Sequence, residues 1–184
     1  MEISILDAIQ SLHTPWLNAV MKFFTFLGNA GWLWIAITVI LLILPKTRIW
    51  GLTMGTALLL GQVIGCVIMK QLVARPRPYN SPDALVTASQ LLIRELKDYS
   101  FPSGHTQASF ASAAVIWRMN RKAGAAAFAV AGLIAFSRMY FYVHYPTDVC
   151  TGAVLGLIWA WISVRFFRPL YERAASALRE KKQK

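Results

Sequence analysis

The sequence predicts an all-α, polytopic integral membrane protein with about six transmembrane helices, and three observations carry that expectation. Hydrophobic residues make up 57% of the 184-residue chain, against about 45–50% in soluble domains. Charged residues are only 15%, where about 25% is usual. The apolar residues gather in runs of helical length separated by Pro, Gly and charge, and ~20 such residues cross a bilayer. A chain of this size is expected to form one domain, residues 1–184.

Residues 3–12 place Ile5, Ile9 and Leu12 on one face and Asp7, Gln10 and Ser11 on others, which predicts a short helix lying in the membrane interface. Thr14-Pro15 opens a first, short span over 16–27 that carries Lys22, and Gly28-Asn29-Ala30-Gly31 reads as a turn. A second span over 32–44 is continuously apolar and stops at Pro45-Lys46. The third, over 50–72, carries Gly51 with Gly55 and Gly61 with Gly65, small residues four apart that let helices approach closely in lipid.

The stretch 73–101 is the longest polar interval, and Pro76, Pro78 and Pro82 interrupt helix there. Within it, Leu91 to Leu96 reads as an amphipathic turn or two at the bilayer surface. Ser103 starts a fourth helix, over 103–119, lined with Ala108, Ser109, Ala111, Ser112 and Ala114 for tight packing. A fifth spans 124–142 and a sixth 147–167, with Pro146 where a helix start tolerates proline. The segment 168–184 is a basic, amphipathic tail expected on an anionic leaflet.

The net charge of +11 would suit nucleic acid, but its distribution does not. Of nineteen cations, twelve lie in three places: Lys46 and Arg48; Arg118, Arg121 and Lys122; and Arg165, Arg168, Arg173, Arg179, Lys181, Lys182 and Lys184. All flank apolar segments or lie in the tail, as in cytoplasmic membrane loops. No nucleic-acid partner is expected; the partner surface is the bilayer. Six spans would put both termini in the cytoplasm and the interval 73–101, with Arg138, on the extracytoplasmic side. Cys66 and Cys150 sit in apolar runs and read as packing residues, without a disulfide or metal. Met1-Glu2-Ile3-Ser4 lacks a positive region ahead of an apolar core, so no cleavable signal is expected.

Three polar stretches interrupt this apolar background: Lys70 with Arg77-Pro78; Phe101-Pro102-Ser103-Gly104-His105; and Ser137-Arg138 followed by His144 and Asp148. Two of the chain's three histidines fall inside them, and His13 reads as a surface residue of the first helix. Each piece alone is weak, since Ser-Gly before a helix is an ordinary cap. Together they supply cations for a phosphate, a helix N-terminus to cradle it, and two imidazoles. Charged groups this close to a bilayer are costly unless they have a function.

In its spacings, Lys70, six residues, Arg77-Pro78, then Pro102-Ser103-Gly104-His105, then Ser137-Arg138, five residues, His144, three residues, Asp148, the chain resembles the type-2 phosphatidic acid phosphatase (PAP2) family, over about residues 60–160. That superfamily also contains vanadium haloperoxidases and bacterial undecaprenyl pyrophosphate phosphatases. The resemblance implies a membrane lipid phosphatase. His144 would be the nucleophile, forming a phosphohistidine; Asp148 would orient it; and His105 would protonate the leaving oxygen. Lys70, Arg77 and Arg138, with Ser103 and Gly104 at the start of the fourth helix, would bind the phosphate. No metal or cofactor is implied, because three cations take the metal's place and Asp148 is committed to His144.

Ser137 reads as packing, and Arg75 as either a headgroup contact or an accessory phosphate contact. Tyr79, Tyr99, Phe101, Tyr140, Tyr142 and Tyr145 read first as an interfacial aromatic belt and second as a wall for a lipid chain. Undecaprenyl pyrophosphate, phosphatidic acid and phosphatidylglycerol phosphate all remain open as substrates, and the compact chain points to a bacterial plasma membrane. A six-helix transporter is the competing class, but transporters hold their polar groups near the midplane rather than at helix ends. A vanadate-dependent peroxidase shares the oxyanion cradle, yet those relatives are large and soluble.

Overall fold

A computed structural model describes residues 1–183, and its regular structure is helical throughout. A short helix α1 (Glu2–Gln10) leads to α2 (Pro15–Gly28), which Thr14 caps by accepting the Leu17 N–H at 3.2 Å. After α3 (Trp32–Ile43) comes α4 (Arg48–Leu60), which continues through a π-helical stretch, Gly61–Met69, into the single turn α5 (Lys70–Val73). Irregular chain then leads to α6 (Gly104–Met119), α7 (Arg121–Tyr140) and α8 (Pro146–Ile162). A π-helical turn, Ser163–Phe167, joins α8 to α9 (Arg168–Gln183). Ser103 caps α6, and Asn120 caps α7 by accepting the Ala123 N–H at 3.0 Å.

The expected count of six spans is not confirmed. Four segments are long and apolar enough to cross a bilayer among the described residues: Pro15–Ile43, Arg48–Asn80, Arg121–Tyr140 and Pro146–Leu178. The segment over α2 and α3 is one kinked pass. Ala30 (φ 48°) and Gly31 (φ 71°) break the helix there without reversing it. Going down α2, Asn18 meets Tyr140, Thr25 meets Arg138 and Gly28 meets Ile134, so α2 runs antiparallel to α7. Trp34 then donates to Ser109 at 2.9 Å, and Thr38 and Leu42 face Gly55 and Gly51, so α3 continues in the same sense, antiparallel to α4.

α6 is not among these four but also runs along the bundle. At 16 residues it is about 24 Å long, shorter than the ~30 Å hydrocarbon core, and it packs mainly between α7 and α8. The chain therefore runs the length of the bundle five times. Its ends lie at opposite faces: α1 sits beside residues 140–147, whereas Arg168 stacks over Trp50 at 4.0 Å and Tyr171 meets Thr56 at the far end of α4. The basic tail is continuous with the last span as α9; Lys184 and the side chains of Arg179, Lys181 and Lys182 lie outside the described residues.

One apolar core, with Trp34, Met54, Ala111, Ile134 and Trp159, fills the centre of the bundle. A second lies under α1 and contains Leu6, Tyr79, Tyr140, Tyr142 and Tyr145. These tyrosines, expected to form an interfacial belt, are instead buried beneath the N-terminal helix; of the six aromatic residues named, only Tyr99, at 39%, is exposed. His13, expected at the surface, stacks on Tyr140 with ring centroids 4.1 Å apart. Leu91, Ile93 and Leu96 are drawn into this second core as irregular chain, not as a surface helix.

α8 lies against α6 through glycines. A Cβ at Gly156 would come within 2.5 Å of the Gln107 carbonyl oxygen, and one at Gly152 within 2.7 Å of the Ser103 carbonyl oxygen. The obstacle in both cases is backbone, which cannot rotate away. Gly156→Ala should therefore lower stability by about 1–3 kcal/mol, read as a lower melting temperature in detergent. Gly132→Ala, with nothing within 4 Å of the new methyl group, should leave the melting temperature unchanged or raise it slightly, because alanine favours helix.

Candidate active site

One end of the bundle gathers the three polar stretches. The π-helical widening at Gly61–Met69 ends directly at Lys70, which is 7% exposed. The chain then turns at Ala74 (φ 46°) and enters the irregular segment carrying Arg75 and Arg77. Arg77 is fixed on several sides. It donates through Nε to the Asp98 carbonyl at 2.8 Å and through Nη1 to the Val143 carbonyl at 2.7 Å, and its Nη2 pairs with Asp98 Oδ1 at 2.6 Å. Its Nη1 also lies 3.4 Å from His144 Nε2.

His144 sits in the loop between α7 and α8 and is buried. Its Nδ1 faces Asp148 Oδ2 at 3.4 Å, which leaves Nε2 turned toward Arg77. Burial, reinforced by the positive charges of Arg77, Arg138 and Lys70, holds its pKa well below the usual histidine value, so the ring is neutral at physiological pH. Asp148 is not committed to His144 alone. Its Oδ2 accepts the Tyr145 N–H at 2.9 Å, and its Oδ1 accepts from Arg75 Nη1 at 2.7 Å. A first-turn carboxylate after Pro146 suits the positive end of α8.

His105, in the first turn of α6, places Nε2 3.1 Å from Asn29 Oδ1 at the α2–α3 kink. Gly28 permits that approach, since a Cβ there would stand 2.8 Å from the imidazole. Ser103 is fully buried: its Oγ accepts from Thr106 Oγ1 at 3.0 Å, and its N–H donates to the Asp148 carbonyl at 3.1 Å. That bond corrects the expectation for Ser103, because its N–H joins α6 to α8 and is not available to an anion. Gly104 does line the site, against Cys66.

Arg138 is 1% exposed, donates to Thr25 Oγ1, and leaves its Nε without a partner. It forms no ion pair among the described residues, though its charge acts on both His105 and His144. A buried guanidinium without a counter-ion is costly, and an arriving anion would relieve that cost. Ser137 donates to the Ile134 carbonyl at 2.6 Å, an in-helix packing contact.

A cavity of about 720 Å³ connects these groups. Lys70, Arg77, Asp98, Gly104, His105 and His144 line its polar end, and it runs on between α3 and α4 past Ile35, Leu58 and Leu59. Ser103, Arg138 and Asp148 stand behind this wall. The sequence reading missed Asp98, whose carboxylate bridges Lys70 and Arg77. Partial burial opposes its charge, but those two cations outweigh burial and hold its carboxyl down at about 2. Also missed were Asn29 and Glu2; the latter pairs with Arg75 at 2.6 Å. Their only signal is that acids are scarce in this chain, with eight Asp and Glu in all.

Comparison with known proteins identifies the family of the chain. The chain is 34% identical over 148 residues to the undecaprenyl-diphosphatase of Sulfolobus acidocaldarius, covering 80% of this chain and 68% of that protein. Its fold matches the crystal structure of a transmembrane PAP2-type phosphatidylglycerolphosphate phosphatase from Bacillus subtilis, with TM-score 0.74 and 27% identity over 91% of this chain and 85% of that one. Aquifex aeolicus LpxE matches equally well, with TM-score 0.74 and 29% identity over 90% of this chain and 95% of that one. The sequence model of the PAP2 superfamily covers residues 50–172, from the start of α4 into α9 and across all three polar stretches; the chain belongs to that superfamily, as a membrane phosphatase.

Proposed function

We propose that the chain hydrolyses the phosphate ester or pyrophosphate of a membrane lipid through a phosphohistidine on His144. The observation that carries this reading is His144 Nε2 beside Arg77 Nη1, in a cavity shared with His105. Lys70 and Arg77, with the Gly104 N–H, meet the phosphoryl oxygens at the cavity wall, and Arg138 and the Ser103 hydroxyl directly behind it complete the cradle. Neutral His144 attacks phosphorus through Nε2, forming a P–N bond as the P–O bond to the lipid breaks. His105 gives its proton to the departing oxygen, then takes one from the water that cleaves the P–N bond and releases phosphate. Asp148 orients His144 and stabilises the charge it gains.

The apolar run of the cavity past Ile35, Leu58 and Leu59 supports a lipid as the leaving group. The relatives divide between an undecaprenyl-diphosphatase and a phosphatidylglycerolphosphate phosphatase, so the substrate lies among polyprenyl pyrophosphates and glycerophospholipid phosphates. A panel of these lipids scored by phosphate release decides between them. The donor set fits an anion better than a metal: both carboxylates near the cavity, Asp98 and Asp148, already bind cations. Among the described residues, the clustered cations Lys46, Arg48, Arg118, Arg121, Lys122, Arg165, Arg168 and Arg173 lie away from the site end of the bundle, which supports an extracytoplasmic site in a plasma membrane.

Activity should therefore survive excess EDTA, and vanadate should inhibit as a mimic of the transition state. Asp98 competes with any anion for Lys70 and Arg77, so Asp98→Asn should tighten vanadate inhibition several-fold. Because its folded pKa is depressed, the ion pairs of Asp98 contribute stability fully above about pH 4 and lose it as pH falls through about 2. A rise in activity between pH 7 and 5 could not then be ascribed to Asp98 leaving the cradle.

The two histidines separate by leaving group. His144→Ala should abolish hydrolysis and trapped phosphoenzyme on every substrate. His105→Ala should cost about 10²–10⁴-fold on a lipid alkoxide and much less on p-nitrophenyl phosphate, whose leaving group needs little protonation. Equal losses on both substrates would remove the acid role from His105.

Orientation and pass number are tested together by thiol labelling in intact cells, in a cysteine-free background. Cysteine at Asn80 should react with an impermeant reagent and cysteine at Asn120 should not. Cysteine at Ser11 should react like Asn80, because five passes put α1 at the site face; protection of Ser11 would restore an even count.

A further inference from the structure

Arg75 lies two residues from Arg77 but faces the opposite way. Its Nη1 binds Asp148 Oδ1 and Thr147 Oγ1, both at 2.7 Å, and its Nη2 binds Glu2 Oε2 at 2.6 Å. The guanidinium also lies over the Tyr145 ring, 3.8 Å from its centroid. None of its contacts is with the cavity, whose wall includes Arg77 but not Arg75. Glu2 is anchored in turn, accepting the Thr147 N–H at 3.1 Å and the Thr147 hydroxyl at 2.6 Å. Partial burial works against the charge on Glu2, yet the bonds from Thr147 and Arg75 hold its carboxyl below the ordinary range.

Asp148 is 0% exposed, and a buried carboxylate without a counter-charge protonates or moves. Arg75 is the one guanidinium bound to it among the described residues. By occupying Oδ1, Arg75 leaves Oδ2 for the Tyr145 N–H and for His144 Nδ1. A chain of contacts thus runs from Glu2 through Arg75 and Asp148 to His144, its last link a 3.4 Å approach of His144 Nδ1 that makes no hydrogen bond.

We propose that Arg75, anchored by Glu2, is a positioning residue for the phosphatase reaction: by holding Oδ1 it aims Asp148 Oδ2 at His144 Nδ1, so that His144 presents Nε2 to phosphorus. This rests on the reading of His144 as nucleophile. It replaces both earlier readings of Arg75, as a headgroup contact and as an accessory phosphate ligand. Facing the His144–Asp148 pair from the cavity are Lys70, Arg77, Asp98 and His105, with Arg138 behind its wall; from the other side come Arg75, Glu2 and Tyr145. Removing the Arg75 charge strengthens the hold of Asp148 on a proton at His144, so the neutral nucleophile appears only at higher pH.

The test compares the full chain in detergent with Arg75→Gln, Arg75→Lys and Glu2→Gln, using p-nitrophenyl phosphate and vanadate as probes. Arg75→Gln should lower kcat about 10–100-fold, the range seen when the partner of a metal-bound histidine is removed. KM and vanadate inhibition should stay within about threefold, and the acid limb of the kcat/KM profile should move to higher pH. Arg75→Lys, which keeps the charge, should recover part of kcat and the parent pH profile. Glu2→Gln should show a smaller kcat loss with KM unchanged, and carries the same split if Arg75→Gln does not fold. Weakened KM and vanadate binding would make Arg75 a phosphate ligand and overturn the proposal. A kcat loss with no movement of the pH profile, the same for Gln and Lys, would reduce it to a structural contact and also overturn it. Trapping an acid-labile phosphoenzyme on the parent separates the premises. Its absence fails the nucleophile reading, whereas its presence with an active Arg75→Gln fails only this inference.

Discussion

Lys70, Arg75, Arg77 and Arg138 are crowded into one end of an apolar bundle, and their mutual repulsion is the constraint around which the rest is arranged. Like charges in a medium of low dielectric constant repel far more strongly than in water. The bundle meets this with three acids, each placed differently: Asp98 across Lys70 and Arg77, Asp148 and Glu2 around Arg75. Arg138 alone receives no carboxylate among the described residues. The site is thus left with a surplus of positive charge at the depth where a phosphoryl group would arrive, and an anion completes a balance the protein leaves open.

The surrounding helices make that arrangement rigid. Ser103 N–H on the Asp148 carbonyl ties the start of α6, with the turn bearing His105, to the start of α8, with the turn bearing Asp148. Gly152 and Gly156 allow the two helices to lie close enough for that bond. Asp98, in contrast, belongs to irregular chain and is held chiefly by the cations it bridges. The same contacts that neutralise the cradle are therefore the ones most readily exchanged for a ligand.

The parts legible in the sequence were those decided by residue type. Lys70, Arg77, His105 and His144 stand out because such groups are expensive in an apolar chain, and the structure brings all four to one cavity. The helices, too, followed from composition. What could not be read was decided by backbone angles or distant contacts. Gly28 to Gly31 announced a break, but whether a break bends or reverses a helix depends on the torsions at Ala30 and Gly31. The tyrosines looked interfacial because their burial comes from α1 folding back over them. Asp98 and Glu2 carried no local signal, since their partners lie 21 or more residues away.

The bond between Glu2 and Thr147 joins residues 145 positions apart, which bears on how the protein is made. Chains emerge N-terminus first at about 5–20 residues per second, so the first helix waits on the order of 10 s for the segment it must grip. The same interval separates α1 from Asp148 and His144. The pieces that bind charge exist early, but the assembled centre appears only after the final pass has inserted. A product stalled before residue 138 would carry Lys70, Arg75 and Arg77 without Arg138, His144 and Asp148 beside them.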